Sequence, residues 1–187
     1  MTEARRADAR RNHDQVLAVA REAFAEHGTA TSLREVARRA GVGIGTLYRH
    51  FPTREALLEA LMSDRFDRLR RDAVDLADAD DPRAALRSWL TRVAAGSGTY
   101  RGLPESVLGA LRDEASRLHT TCDAMRSAGR DLLRRAQHAG TVRAEVTIED
   151  LLAAAAGVAW AGEQAADPEA LVDRLLGYLM TGIATPA

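Results

Sequence analysis

The run TLYRHF (residues 46–51) places a hydroxyl, a phenol, a guanidinium and an imidazole side by side. It follows a segment in which every second residue is glycine, at Gly41, Gly43 and Gly45. Because glycine has no side chain, another surface can approach the backbone closely there. Side-chain donors on a short helix suit phosphate oxygens and base edges in the DNA major groove, which is wide enough for a helix. The run is therefore a candidate for nucleic-acid binding.

Two short helices are predicted to position the run. The run itself is predicted on a helix over Ile44–Phe51, which Pro52 ends. The helix before it begins with capping-box spacing at Ser32 and Glu35 and ends at Gly41. Two short helices joined by AGVG indicate a helix-turn-helix whose second helix is presented outward. Plain helical bundles contain the same geometry, so periodicity alone leaves DNA binding and structural packing both open.

Apolar residues recur at helical spacing along nearly the whole chain, which predicts an all-α fold of about nine helices. The first predicted helix covers about Ala9–His27, and the long fourth helix covers about Thr53–Ala79. The later helices are predicted to begin at Asp81–Pro82, to cover about Glu105–Leu111 and Asp113–Ala139, to run from Thr147 to about Ala165, and to begin at Asp167–Pro168. The segment AGSGTYRGLP is predicted as a loop or a broken helix. We expect two domains, residues 1–55 and 56–187, connected by the fourth helix.

Charge is distributed unevenly, although the formal net charge of the 187 residues is only −1. Ten arginines and seven acids give residues 1–55 a charge of +3, whereas sixteen arginines and twenty acids give residues 56–187 a charge of −4. A basic front on an acidic body suits contact with an anion. Ordinary scatter on two solvated surfaces explains the difference equally well.

Composition and motifs exclude several classes of protein. The sequence has no run of about 18 uncharged apolar residues and no signal-peptide pattern, so we expect a soluble cytoplasmic protein with no membrane partner. Its histidines lack HExxH spacing, and neither a phosphate-binding glycine loop nor a GxSxG elbow occurs. We expect no enzyme activity, no metal and no cofactor. The single Cys122 suits buried packing better than redox sensing.

The segment TSLREVARRAGVGIGTLYRHFPTREALLEAL, residues 31–61, strongly resembles the DNA-binding module of the TetR family of bacterial regulators. The resemblance begins near Gln15 and covers about a quarter of the chain. It implies an all-α homodimer whose third helix enters the major groove of a near-palindromic DNA operator. It also implies a C-terminal body that dimerises and binds a small effector, which releases the DNA. Repression rather than activation is the family-level expectation.

The resemblance also implies roles for single residues. The implied DNA-binding residues are Ser32, Arg34, Ile44, Gly45, Thr46, Tyr48, His50 and Arg54. Two positions depart from the family pattern, because Gly43 stands where serine is usual and Arg54 stands where lysine is usual. The first change removes a capping hydroxyl, and the second keeps the charge. Ile44 is ambiguous, since its spacing to Leu47 suits either a core position or contact with a thymine methyl.

Two further sets of residues are candidates in the body. Predicted dimer-interface residues lie on the last two helices, and they are Leu152, Ala155, Ala159, Leu171, Leu175, Tyr178 and Leu179. Predicted effector contacts, on the expectation of a mostly apolar ligand, are Trp89, Tyr100, Leu108, His119, Cys122, Met125 and Trp160. Both sets also suit a plain hydrophobic core.

Overall fold

A computed structural model describes residues 3–28, 31–95 and 103–185, with the backbone alone for residues 3–10 and 27. This described part contains nine α-helices and no strand, which confirms the all-α prediction. The helices are α1 (Glu3–His27), α2 (Leu33–Arg39), α3 (Ile44–His50), α4 (Arg54–Asp75), α5 (Pro82–Ala94), α6 (Glu105–Arg112), α7 (Arg117–His138), α8 (Ile148–Gly162) and α9 (Pro168–Gly182). None of these helices is long and apolar enough to cross a membrane.

Local capping chemistry explains why several helices begin where they do. Asp81 and Asp167 each accept a hydrogen bond from the backbone amide three residues on, and a proline follows each of them. At the start of α8, Thr147 and Asp150 form the reciprocal capping box that their spacing predicts. These side chains satisfy amides that a helix start leaves without a partner inside the helix.

Some predicted helix boundaries were wrong. Helix α1 begins at Glu3 rather than Ala9, and α4 ends at Asp75 rather than Ala79. Helix α7 begins at Arg117 because Asp113 closes a turn instead: its carboxylate accepts from the amide of Ala115. Helix α8 ends at Gly162, three residues before the predicted end. The predicted loop AGSGTYRGLP lies mostly outside the described residues.

The chain divides into two compact units. The first comprises Met1–Asp64 with Thr99–His119, and the second comprises Arg65–Gly98 with Thr120–Ala187. In the first unit, α1 packs on α2 and α2 packs on α3. Its buried side chains include Val16, Ala20, Phe24, Val36, Leu47, Phe51, Leu57, Leu58 and Leu61. This core fixes the α2–α3 pair from beneath.

In the second unit, α5, α8 and α9 all pack against one another. Trp89 is fully buried, and its indole Nε1 donates a hydrogen bond to the Leu69 carbonyl at 2.8 Å. The indole ring lies directly against Gly129 of α7. A Cβ at residue 129 would stand 2.8 Å from Cζ3 and 2.9 Å from Cζ2 of this ring, inside van der Waals contact. Glycine at 129 is therefore required by packing.

Candidate nucleic-acid interface

The turn between α2 and α3 is set by backbone geometry. Gly41 adopts a φ of +64°, which glycine accepts without strain, and the amide of Val42 bonds back to the Ala37 carbonyl at 3.0 Å. Gly43 then forms the N-cap of α3 at an ordinary φ of −64°, with no side-chain hydrogen bond. The chain therefore enters α3 without the capping hydroxyl that the family pattern usually supplies.

Gly43 and Gly45 are not required by the fold of this chain. An added Cβ at either residue would meet no atom within 4 Å, and neither residue has a positive φ. Glycine within a helix is less favourable than alanine by about 1 kcal/mol. This penalty applies to Gly45 inside α3, whereas Gly43 is at the N-cap, where glycine is well tolerated. Side-chain packing within the chain therefore does not require glycine at either position, and the space beside both residues is open.

Helix α3 has one anchored side and one open side. Leu47 and Phe51 are buried in the first unit, whereas Tyr48 is 48% exposed. Ile44 is 38% exposed, so it does not occupy the core position that its spacing allowed. Thr46 is half-buried on the same helix. The buried Leu47 and Phe51 therefore anchor α3, and the exposed residues of the helix point outward.

Arg49 joins this open side, although the resemblance does not name it. It is exposed, and its Nη2 donates to the Thr46 hydroxyl at 3.2 Å. The two residues stand three apart on α3, so each helps to orient the other. The sequence signal for Arg49 was its place among the outward-facing residues of the run.

His50 lies in an aromatic cluster with α1. Its ring is 5.8 Å from that of His13 in an edge-on arrangement, and the His13 ring stacks on Phe51 at 4.8 Å. Burial lowers the pKa of His13, and the charges of His50 and Arg117 act in the same direction. Asp14 and Asp64 oppose this shift. The end of α3 thus packs against α1 through the rings of His13, His50 and Phe51.

Arg54 makes internal contacts that the sequence did not predict. Its Nη1 donates to the Thr31 carbonyl at 2.5 Å, and its guanidinium carbon lies 5.4 Å from the centre of the Phe24 ring. Its Nη2 is buried without a hydrogen-bond partner in the described protein. The side chain thereby ties the start of α4 to the residue that precedes the cap of α2.

The start of α2 differs from the predicted capping box. Ser32 does cap the helix, but its hydroxyl accepts from the Arg34 amide at 3.2 Å. The Glu35 carboxylate instead pairs with Arg38 at 2.6 Å and with Arg39 at 2.8 Å. Hydrogen bonds from Arg38 and then Arg39 lower the pKa of Glu35 to about 2. The predicted box was wrong because two guanidinium groups compete for the same carboxylate.

A second ion pair extends this network to α1, where Arg39 meets Glu26 at 2.7 Å. Both Arg38 and Arg39 thus have carboxylate partners within their own chain. Arg34, by contrast, stands exposed on the α2 surface beside the cap. The ion pairs brace α2 against α1 and hold Arg34 and Ser32 at a defined surface.

The predicted effector contacts fall in both units and differ in burial. Trp89, Cys122 and Met125 are buried in the second unit, with Cys122 and Met125 three residues apart on α7. Burial raises the pKa of the Cys122 thiol. Leu108 and His119 are half-buried in the first unit, and Trp160 is 60% exposed. Tyr100 lies outside the described residues.

The predicted dimer residues divide by burial. Ala155 and Ala159 are buried within their own chain, whereas Tyr178 is 65% exposed. The half-buried members are Leu152, Leu171, Leu175 and Leu179. Trp160, which sequence reasoning placed with the effector contacts, is exposed on α8. The surface of α8 and α9 thus presents two large aromatic side chains to the exterior.

Two family models match the chain. Residues 16–61 match the family described as bacterial regulatory proteins, tetR family. Residues 81–185, more than half of the chain, match the C-terminal domain described as transcriptional regulator SbtR-like. The HTH-type transcriptional repressor KstR of Mycolicibacterium smegmatis is 39% identical over 85 residues, which are 46% of this chain and 36% of that protein. The chain covers between 27% and 39% of the length of the curated relatives it matches.

Solved structures match over nearly the whole chain. The TetR transcriptional regulator SCO0520 from Streptomyces coelicolor is 34% identical with a TM-score of 0.72, over 94% of this chain and 99% of that one. A TetR transcription regulatory protein from Mycobacterium vanbaalenii is 33% identical with a TM-score of 0.68, over 96% of this chain and 99% of that one. With its helix-turn-helix and its matching C-terminal domain, the chain belongs to the TetR family of bacterial transcriptional regulators, and it is not an enzyme.

Proposed function

We propose that the protein is a cytoplasmic repressor that binds a near-palindromic operator as a homodimer and is released by a small, mostly apolar ligand. The observation that carries this proposal is the open side of α3. Gly43 and Gly45 leave space that the fold does not need, next to the exposed side chains of Tyr48 and Arg49. A helix of this kind fits the major groove.

Within that interface the residues divide by role. Tyr48, His50 and the backbone near Ser32 suit phosphate oxygens, which position a protein on DNA without reading its sequence. Thr46 and Arg49 suit base edges, since a guanidinium pairs with two acceptors of guanine. Ile44 suits a thymine methyl because it is exposed. Arg34 extends the contact surface from α2.

The proposed dimer uses the outer surface of α8 and α9. Trp160 and Tyr178 are exposed there, with half-buried leucines on both helices. Large aromatic residues are enriched in protein interfaces and often anchor them. Ala155 and Ala159 then support this surface from inside their own chain rather than touching the partner. A two-fold dimer would set two reading helices about 34 Å apart, one helical turn of DNA.

The proposed effector site lies in the body, near Cys122 and Met125 on α7. Both side chains are buried, and the Thr121 hydroxyl beside them is buried as well. A ligand there would meet mostly apolar atoms and few hydrogen-bonding groups, as small-molecule sites usually provide. The Trp89 ring packs on the same helix at Gly129.

Fluorescence anisotropy tests the DNA function directly. The protein is titrated against labelled DNA from its own upstream region, with scrambled DNA as the control, across a salt series. Sequence-specific binding that weakens steeply with salt supports the proposal. If the upstream fragment fails, genomic selection of bound fragments follows. Failure of both experiments with a folded dimer contradicts the proposed repression.

A further inference from the structure

A groove of about 440 Å³ lies between α4 and α5 in the second unit. Its lining is Arg65, Arg68, Leu69, Arg71, Asp72, Asp75, Arg92 and Ala95. Four guanidinium groups and two carboxylates leave an excess of two positive charges. Three of the arginines follow one another at intervals of three residues along α4, a spacing that brings neighbours together on a helix surface. The groove is therefore strongly basic, in a part of the chain that is acidic by count.

Two of these arginines bridge α4 and α5. Arg65 donates from Nη2 to the Val93 carbonyl at 2.6 Å, which joins α4 to α5. Arg92 donates from Nη1 to Asp72 at 2.7 Å, which joins the same two helices with the donor on α5. Both walls are thus fixed before any ligand arrives, and a preorganised site binds at lower entropic cost.

The other two arginines line the groove with different exposure. Arg68 is half-buried, and Arg71 is exposed with its Nε donating to the Asp67 carbonyl at 3.3 Å. Partial burial strengthens the interaction of a guanidinium with an anion because fewer water molecules screen it. An anion in the groove would therefore interact more strongly with the half-buried Arg68 side chain than with the exposed Arg71 side chain.

We propose that this groove is an anion site that takes a phosphoryl group. Guanidinium groups present paired donors that match phosphate oxygens. A dianionic phosphoryl group balances the excess of two charges better than a monoanionic carboxylate does. The inference does not rest on the operator, the dimer or the apolar effector, because it concerns only α4 and α5. Free phosphate and the phosphoryl end of a larger ligand offer the same chemistry.

Isothermal titration of the full chain with sodium pyrophosphate tests the proposal, with sodium chloride at equal ionic strength as the reference. The variant Arg68→Gln/Arg71→Gln removes two charges from the groove. The matched control Arg130→Gln/Arg134→Gln removes two exposed charges from α7, where these arginines pair with Glu149 and Asp131. We expect binding in the wild type and the control, and at least tenfold weaker binding in the groove variant. Circular dichroism verifies that each variant is folded.

A further titration with ADP distinguishes the free anion from a larger ligand that carries a phosphoryl group. If ADP binds more tightly than pyrophosphate, the phosphoryl group belongs to a larger ligand; if not, the free anion is the ligand. The proposal is overturned if the wild type binds pyrophosphate no better than chloride, or if the groove and control variants lose binding equally. It is also overturned if the groove variant lowers affinity for DNA of any sequence while pyrophosphate binding is unchanged.

Discussion

Arg54 donates a hydrogen bond to the main-chain carbonyl of Thr31, so the first residue of α4 is tied to the residue that precedes the cap of α2. Twenty-three residues separate the two. The family resemblance assigns Arg54 to the DNA backbone alone. This contact adds a positioning role, because Ser32 follows Thr31 directly and Arg34 lies two residues further on.

We expect Arg54→Ala to lower the free energy of unfolding by about 1.5–3 kcal/mol, the range for a hydrogen bond that involves a charged group. We also expect it to weaken binding to all DNA sequences. Arg54→Lys keeps the charge but loses the planar fork, so it should lose stability while retaining more DNA affinity. Denaturant titration and anisotropy measure the two effects. Tyr48→Ala is the control, since its exposed ring should affect DNA binding alone. Unchanged stability in Arg54→Ala would remove the positioning role.

Gly45→Ala separates stability from DNA binding. An alanine methyl meets open space there, so we expect the free energy of unfolding to stay constant or to rise by up to about 1 kcal/mol. Affinity for the operator should fall at least tenfold, because the methyl would stand between α3 and the DNA. Gly109→Ala on α6 also meets open space and should leave operator affinity intact. Full operator affinity in Gly45→Ala would contradict close approach at this residue.

Gly129→Ala should be destabilising, in contrast to Gly45→Ala. The new methyl would collide with the buried ring of Trp89, and overpacking of this kind costs about 1–3 kcal/mol. Thermal and denaturant unfolding measure the loss, again against Gly109→Ala. A stability equal to that of the wild type would mean that the indole moves freely, contrary to its hydrogen bond with Leu69.

His13 should make stability depend on pH. Its folded-state pKa is lowered from 6.5, first by burial, so the folded protein binds the proton less readily than the unfolded chain does. The contribution of His13 to the free energy of unfolding is therefore complete above pH 6.5 and is lost as the pH falls below that value. In His13→Gln, the melting temperature should depend less on pH between pH 7 and pH 5. His138→Gln, which is exposed and on α7, should not. If the melting temperature changes equally with pH in His13→Gln and the wild type, His13 is not the source of the pH dependence.

Trp160→Glu tests the proposed dimer surface. Because the indole is exposed, a carboxylate there should leave the folded chain intact and disrupt association with a second copy. Sedimentation velocity should show monomers, and operator affinity should fall. Val74→Glu changes another exposed apolar side chain, on α4, and should leave the oligomeric state unchanged. A dimer that survives Trp160→Glu would place the interface elsewhere.

The sequence predicted features that depend on neighbouring residues better than those that depend on distant ones. Asp81, Thr147 and Asp167 cap their helices as expected because a cap and its amide are three residues apart. The box at Ser32 failed because the spacing does not reveal which cations compete for Glu35. The contact between Trp89 and Gly129 was not predictable, since it joins two helices forty residues apart.

The helix-turn-helix module was predictable for a different reason. Its motif is long, and the family pattern orders glycine, apolar and polar residues in a fixed register. The exposure of Trp160 was not predictable, because the sequence pattern of an apolar helix face is the same whether that face packs on its own core or on a partner. The hydrogen bond from Arg54 to Thr31 was not predictable either, since the sequence does not show which acceptor a cation at that position binds.

Helix α3 has only seven residues and no side-chain hydrogen bond at its start. A helix of that length is marginal on its own, so its order comes from Leu47 and Phe51 beneath it. The first turn is therefore the least constrained part of the reading surface. In the proposed complex, contacts between α3 and DNA would hold this short helix in place, and part of the binding free energy would offset the entropy lost in that ordering. Selectivity would then depend on temperature, with cooler conditions favouring the fully formed helix.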